Sequence, residues 1–268
     1  MLIDFHTHAF PDRLAPRALP SLARDIAHPP LTDGTISGLL RAMDEWHVDR
    51  AVILNIATNA KQTENVNSFA IETQKAHSDR LSPLGSLNPE CPPDMMEREI
   101  RRLRDAGIPG LKIHPDYTGH TIDDPAFDPI FELAEAYDMF IVTHAGFDVY
   151  SPHFVHASPD RILRRMERSP RVRLVAAHCG GNMMYSEVEE KLIGKELWID
   201  VSLCEFCGLD PVQAARMFGK HDSEKILFGS DCPWCSSAST FRYIDALPLD
   251  AERKENLYHK NAEKLLGL

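Results

Sequence analysis

Short apolar runs alternate with helical stripes along the whole chain. The runs lie at 2–8, 51–55, 81–86, 110–114, 140–144, 172–178, 197–202 and 226–231. Most are rich in Val, Ile and Leu without clean alternation, the composition of strands in a parallel sheet covered by helices. Between them the apolar period lengthens. Ile36, Leu39, Leu40, Met43 and Trp46 form a stripe opening after Asp33, and Ile100, Leu103 and Ala106 form another, with Gly107 as its C-terminal cap. Phe131, Ala134 and Tyr137 predict a third helix, Ile162, Leu163 and Met166 a fourth, and Leu257, Ala262, Leu265 and Leu266 the last. Eight strand–helix units predict a (β/α)8 TIM barrel, whose active site sits at the C-terminal ends of the strands. A length of 268 residues suits one such domain over 1–268.

Ligand-type side chains recur at those strand ends. The first run carries His6-x-His8; alternate strand residues share a face, so both imidazoles can converge on one metal ion. Later runs end in Lys112-x-His114, His144, His178 and Asp231. Lys112 and His114 share a face by the same alternation, and so do Asp4 and His6, which casts Asp4 as support for the first histidine. Neutral imidazoles and a carboxylate suit Zn²⁺, Mn²⁺ or another divalent metal. Two long connections, 9–33 and 145–159, are candidate covering or binding elements; the second holds Tyr150, His153, Phe154 and His156.

Composition narrows the function. A net charge of −11 argues against a nucleic-acid surface, which needs clustered Lys and Arg. No apolar stretch approaches the roughly 20 residues that span a bilayer, and no basic-then-apolar leader precedes the first strand, so a cytoplasmic enzyme with a small-molecule substrate is expected. A homo-oligomer stays open. The six cysteines include Cys204-x-x-Cys207 and Cys232-x-x-Cys235. Without a zinc-ribbon hairpin between the pairs, buried or loop thiols are the expectation rather than a structural zinc. Cys179 and Cys232 each follow a ligand-type residue and are expected to face away from the cavity. Of the thirteen histidines, His28, His47, His77, His221 and His259 read as solvated or helix-surface residues. Gly180-Gly181 predicts either close backbone approach near substrate or a tight turn. Trp234 is expected to line the mouth or to pack behind the eighth strand. Gly-x-Ser-x-Gly, Walker and Rossmann patterns are missing, which disfavours serine-hydrolase and nucleotide-cofactor readings.

The set His6-x-His8, Lys112, His144, His178 and Asp231 resembles the amidohydrolase superfamily of metal-dependent barrels. Gly229-Ser-Asp231-Cys-Pro233-Trp234 and the closing Asn261-Ala262-x-x-Leu265-Leu266 are similar to its amidohydrolase-2 branch, which includes aminocarboxymuconate-semialdehyde decarboxylase-like enzymes. The resemblance implies that His6, His8 and Asp231 hold the more buried metal. It implies further that His144 and His178 hold a second ion or act on substrate, giving one or two ions per chain. Lys112 stands where binuclear members carry a carboxylated bridging lysine, and 110–114 looks like the corresponding stretch of the urease catalytic subunit, with His114 as a substrate-polarising group. An unmodified Lys112 binding a substrate carboxylate is the plain alternative.

These residues predict a metal-dependent hydrolase, with metal-activated water attacking an amide, lactone or ester bond of a small carboxylated molecule. Asp231 would serve as general base and His178 would stabilise the developing oxyanion. The alternative is a lyase, a non-oxidative decarboxylase or hydratase of an aromatic or unsaturated acid. Lys112 tilts the expectation toward hydrolysis, because many of the decarboxylases lack it. A non-catalytic metal sensor and a TatD-like deoxyribonuclease are disfavoured, the first by the complete ligand set and the second by the acidic balance.

Overall fold

The computed structural model describes residues 1–26 and 29–268; His28 lies outside the described residues. All eight expected strands form: β1 (Ile3–Thr7), β2 (Arg50–Leu54), β3 (Leu81–Leu84), β4 (Gly110–Ile113), β5 (Phe140–Thr143), β6 (Leu174–Ala176), β7 (Trp198–Asp200) and β8 (Ile226–Leu227). Neighbours pair in parallel, in the orders β1-β2-β3 and β4-β5-β6-β7-β8. Two seams close these sheets into a barrel. At one, the Gly85 amide donates to Gly110 O at 3.1 Å and the Lys112 amide to Gly85 O at 2.8 Å. At the other, the Phe5 amide donates to Phe228 O at 2.8 Å and the Asp231 amide to His6 O at 2.8 Å.

The hydrophobic residues separate into two groups. Ile3, Phe5, Val52, Leu54, Leu84, Phe140, Val142, Val175, Trp198 and Leu227 fill the barrel, with Ala262 and Leu265 of the last helix packed among them. A larger cluster, including Leu39, Met43, Ile100, Leu103, Phe131 and Ile162, lies between strands and surrounding helices. The expected stripes thus become the inner faces of helices Ile36–Glu45, Pro93–Asp105, Asp128–Ala136 and Pro159–Arg168. Gly107 follows the second of these at φ +75°, the left-handed turn that favours glycine.

Some structure was hidden from the hydrophobic pattern. Helix Thr63–His77 buries Thr63, Asn67, Ala70 and Thr73, so its inner face carries no apolar stripe. Asn67 instead accepts the Ser86 amide at 2.8 Å and donates to Glu99 at 3.2 Å. The first long connection holds a helix of its own, Ala15–Leu22. His221 is not a surface residue. It is buried, bridging the Gly194 amide at 3.1 Å and Leu197 O at 2.8 Å.

Strand ends also differ from expectation in a way that shapes the site. The ladders of β6 and β8 stop before His178 and Asp231, whose φ values are 56° and 71°. A left-handed residue cannot continue a ladder, and holding a non-glycine there costs on the order of 1 kcal/mol or more. Each strand therefore delivers its polar residue from a sharp turn just beyond the sheet. β1 shifts register against β2 between Asp4 and Thr7. Such a bulge re-aims side chains, and simple alternation fails there.

Candidate metal centre at the barrel mouth

Glycine and serine of the 229–234 run prepare the site before any ligand does. A Cβ on Gly229 would lie 2.9 Å from His6 Cβ, so only glycine lets β8 approach β1 this closely. Ser230 donates its hydroxyl to Asp4 Oδ2 at 2.6 Å, and Ser237 does the same at 2.6 Å. Asp4 also accepts the amides of His6 at 3.1 Å and Ser230 at 3.0 Å. Burial outweighs these bonds and raises its carboxyl to about 6. Asp4 thus supports His6 through its backbone amide and pins the β1–β8 seam through the two serines, while the His6 ring is held elsewhere.

Asp200 holds that ring instead. Its Oδ2 accepts from His6 Nδ1 at 2.8 Å, while its Oδ1 takes the amides of His178 at 3.1 Å and Ser202 at 3.0 Å and the Ser202 hydroxyl. Because a carboxylate only accepts, the His6 proton sits on Nδ1 and Nε2 is a bare lone pair. His8 Nδ1 faces Leu54 O at 3.0 Å; a carbonyl also only accepts, so the neutral ring that a metal requires carries its proton there and presents a bare Nε2. Both bare nitrogens converge on Asp231 Oδ1, at 3.3 Å from His6 and 3.0 Å from His8. That oxygen is buried and has no hydrogen-bond partner among the described residues. Three electron-pair donors crowd together with no proton among them, an arrangement that a cation relieves. The chemistry of the donors, two imidazoles and a carboxylate, suits a divalent metal.

A row of imidazoles extends from this triad. Ring centroids are 4.8 Å apart from His6 to His178, 4.8 Å from His178 to His144 and 4.3 Å from His144 to His114. Tyr117 stacks on the far face of His114 at 3.9 Å. Burial keeps these histidines neutral: the pKa of His144 falls to about 4, and those of His6, His114 and His178 fall well below the usual range. His144 Nδ1 meets His178 Nε2 at 3.1 Å, and the other His178 nitrogen meets Ser202 Oγ at 2.8 Å. His144 Nε2 and His114 Nε2 both lie 3.6 Å from Asp148 Oδ2, a second group of metal-type donors. The expected ligands are thus brought to one mouth but divided. His6, His8 and Asp231 form one group, His178 joins His6 and Asp200, and His144 joins His114 and Asp148.

Lys112 is 1% exposed and forms no ion pair or side-chain hydrogen bond among the described residues. Burial lowers its pKa to about 8, against the pull of Asp200, Asp231 and Asp148. A buried cation without a direct partner leaves room for an anion or a modification.

Asp148, Asp200, Ser202, Asp116 and Tyr117 were not singled out from the sequence. Asp200 and Ser202 were within reach, since they occupy alternate positions at the end of the seventh run. Asp148 had no such signal; it comes from the 145–159 connection. That loop docks by the Ser151 hydroxyl on Asp116 and by His156 Nδ1 at 3.0 Å from the same carboxylate. Gly146 lies so close to the next loop that a Cβ would meet the Asn182 amide at 2.1 Å. Gly180 and Gly181 admit helix Tyr185–Lys191 rather than substrate, since a Cβ on Gly181 would come 2.9 Å from Val188. Trp234 is half-buried. All six cysteines are free, and none joins a group of three metal-type donors among the described residues. Among those residues, no helix is long and apolar enough to cross a membrane.

Comparison with known proteins places this architecture. A 2-amino-3-carboxymuconate-6-semialdehyde decarboxylase of Dictyostelium discoideum is 24% identical over 242 aligned positions, covering 76% of this chain and 66% of that protein, just under two thirds of its length. The structure of 5-carboxyvanillate decarboxylase from Sphingomonas paucimobilis superposes with a TM-score of 0.75 at 19% identity, covering 100% of this chain and 99% of that one. A 5-carboxyvanillate decarboxylase from Novosphingobium aromaticivorans, solved with manganese and 4-hydroxy-3-methoxy-5-nitrobenzoic acid, gives 0.76 at 16% identity over 100% and 96%. These likenesses establish the TIM-barrel fold. The Amidohydrolase family model matches residues 3–268, and on that match the chain belongs to the amidohydrolase family, in its amidohydrolase-2 branch.

Proposed function

We propose that the protein is a metal-dependent lyase that releases CO2 from a small aromatic or unsaturated carboxylic acid, with residues 1–268 acting as one catalytic unit. The observation that carries this reading is the unpaired buried Lys112 beside the bare donors of His6, His8 and Asp231: a place for a carboxylate adjoins a place for a cation. Lys112 alone weighed toward hydrolysis of an amide, lactone or ester. Decarboxylases among the relatives, both by sequence and by fold, support carbon–carbon cleavage better.

His6, His8 and Asp231 would hold the metal, and His144, whose Nε2 is buried without a hydrogen-bond partner, is the next candidate ligand. When bound, a divalent ion such as Zn²⁺ or Mn²⁺ would polarise a substrate oxygen and favour the electron pair left on carbon. Lys112 binds the substrate carboxylate through Nζ, whose charge is buried and costly to leave without a direct partner. His114 is clamped between Tyr117 at 3.9 Å and His144 at 4.3 Å, both near-parallel, which fixes the ring plane and leaves its edge to face a substrate. Asp231 would carry a proton at Oδ2 and pass it to the carbon as the bond to CO2 breaks. His178 and His114, kept neutral by burial, line the site as hydrogen-bonding groups rather than as cations. Enclosure keeps bulk water from the developing carbanion.

The test is a panel of hydroxybenzoates and amino-substituted unsaturated acids, with CO2 release measured on metal-loaded protein. Release that a chelator abolishes and Mn²⁺ or Zn²⁺ restores is the expected result. Turnover of lactones or amides, with no CO2 from any acid, would replace this reading with hydrolysis.

A further inference from the structure

We infer that Asp200, acting directly and through Ser202, sets the tautomer of three imidazoles, those of His6, His178 and His144, and so decides which nitrogens face the cavity as lone pairs. The inference concerns the state of the protein before substrate binds and holds for either chemistry discussed above.

The deduction follows the hydrogen bonds outward from one carboxylate. Asp200 is fully buried and can only accept, so His6 must donate Nδ1–H to Oδ2 across 2.8 Å. Ser202 has one hydroxyl proton, and it is directed at Asp200 Oδ1. Toward His178 Nδ1, at 2.8 Å, the Ser202 oxygen therefore acts as acceptor, and His178 carries its proton there. A neutral imidazole has one N–H, so His178 Nε2 is bare and accepts from its 3.1 Å neighbour, His144 Nδ1. That leaves His144 Nε2 without a proton.

An independent observation agrees with this end point. His144 Nε2 is a buried nitrogen with no hydrogen-bond partner, and the atom it faces, Asp148 Oδ2 at 3.6 Å, belongs to a carboxylate. A nitrogen that carries a proton is rarely left buried without an acceptor, so the missing partner fits a bare Nε2. The chain of bonds also explains why β7 ends in Asp200-x-Ser202, although neither side chain is among the donors converging on Asp231. They are positioning residues: they touch the imidazoles, not the reacting atoms.

A purely structural Asp200 would tie the ends of β6 and β7 together and nothing more, and histidine ¹⁵N NMR separates the two cases. In metal-free wild-type protein near neutral pH, His6, His178 and His144 should all show the Nδ1–H tautomer. Asp200→Asn keeps one oxygen for the three donors at Oδ1 and turns an NH2 toward His6. The His6 signals should then switch to Nε2–H, and affinity for Mn²⁺ or Zn²⁺, read by chelator competition, should fall about 10–100-fold. Ser202→Ala should release the His178 and His144 tautomers and leave His6 as Nδ1–H on Asp200, with only a shift of its Nδ1 signal from loss of the 3.1 Å contact to Ser202 Oγ. Finding any of the three as Nε2–H in wild type would overturn the inference even if neither variant folds. So would an Asp200→Asn protein that retains Nδ1–H at His6 and wild-type metal affinity.

Discussion

Replacing Lys112 by methionine should make the metal-free protein more stable while weakening its hold on substrate. The side chain is fully enclosed, and burial lowers its pKa from 10.5 to about 8. A pKa unit corresponds to about 1.4 kcal/mol, so holding this ammonium in the fold costs on the order of 3 kcal/mol. The sign follows from linkage. Below pH 8 the lysine is charged in both folded and unfolded chains, and the full penalty is present. As pH rises from 8 toward 10.5, the folded chain loses the proton first and the penalty fades. Methionine matches the length of the lysine stem and carries no charge, so Lys112→Met should gain up to about 3 kcal/mol at pH 7, less any packing strain, and much less near pH 10. Urea unfolding in the presence of a chelator, at both pH values, measures the gap. The same variant, reloaded with metal, should bind substrate more weakly, seen as a raised KM. A variant that is no more stable than wild type at pH 7 would refute the unpaired-cation reasoning. If it also bound one metal ion fewer, a carboxylated lysine would take its place.

Asp231→Asn, assayed with metal in excess, should fold and lose activity by roughly 10²-fold or more, because an amide cannot hold and return the proton; near-normal turnover would remove Asp231 from the mechanism. Alanine at both His6 and His8 should abolish tight metal binding, measured as ions per chain after dialysis, while circular dichroism still reports a folded barrel. Gly229→Ala places a Cβ 2.9 Å from His6 Cβ and should destabilise the protein by about 1–3 kcal/mol, with weaker metal binding as His6 shifts. An unchanged melting temperature and metal affinity would mean that β8 can retreat freely.

The barrel was legible because its evidence is repetitive and local. A buried parallel strand must be apolar on both faces, a covering helix must be apolar on one, and eight such pairs in order leave little choice of topology. The ligand-type residues were legible for a related reason. His6, His8, Lys112, His114, His144, His178 and Asp231 each stand where an apolar run stops, and in this fold that is where strands open onto the mouth. The helix Thr63–His77 escaped notice because its buried face is made of Thr63, Asn67 and Thr73, and the hydrogen bonds of Asn67 and Thr63 are partnerships that periodicity cannot register.

Partnership among the site residues was decided only by the tertiary structure. Alternation paired Asp4 with His6, yet the register shift in β1 sends Asp4 to Ser230 and Ser237 and gives His6 to Asp200, 194 positions along the chain. Asp148 approaches His114 and His144 only because Ser151 and His156 anchor its loop on Asp116. The sequence by itself therefore determined the elements and the kinds of donor at their ends, since both depend on neighbours a few residues away. Which donor faces which, and which nitrogen is left bare, depends on strand stagger, turn geometry and contacts across the barrel, and these exist only once the chain has closed.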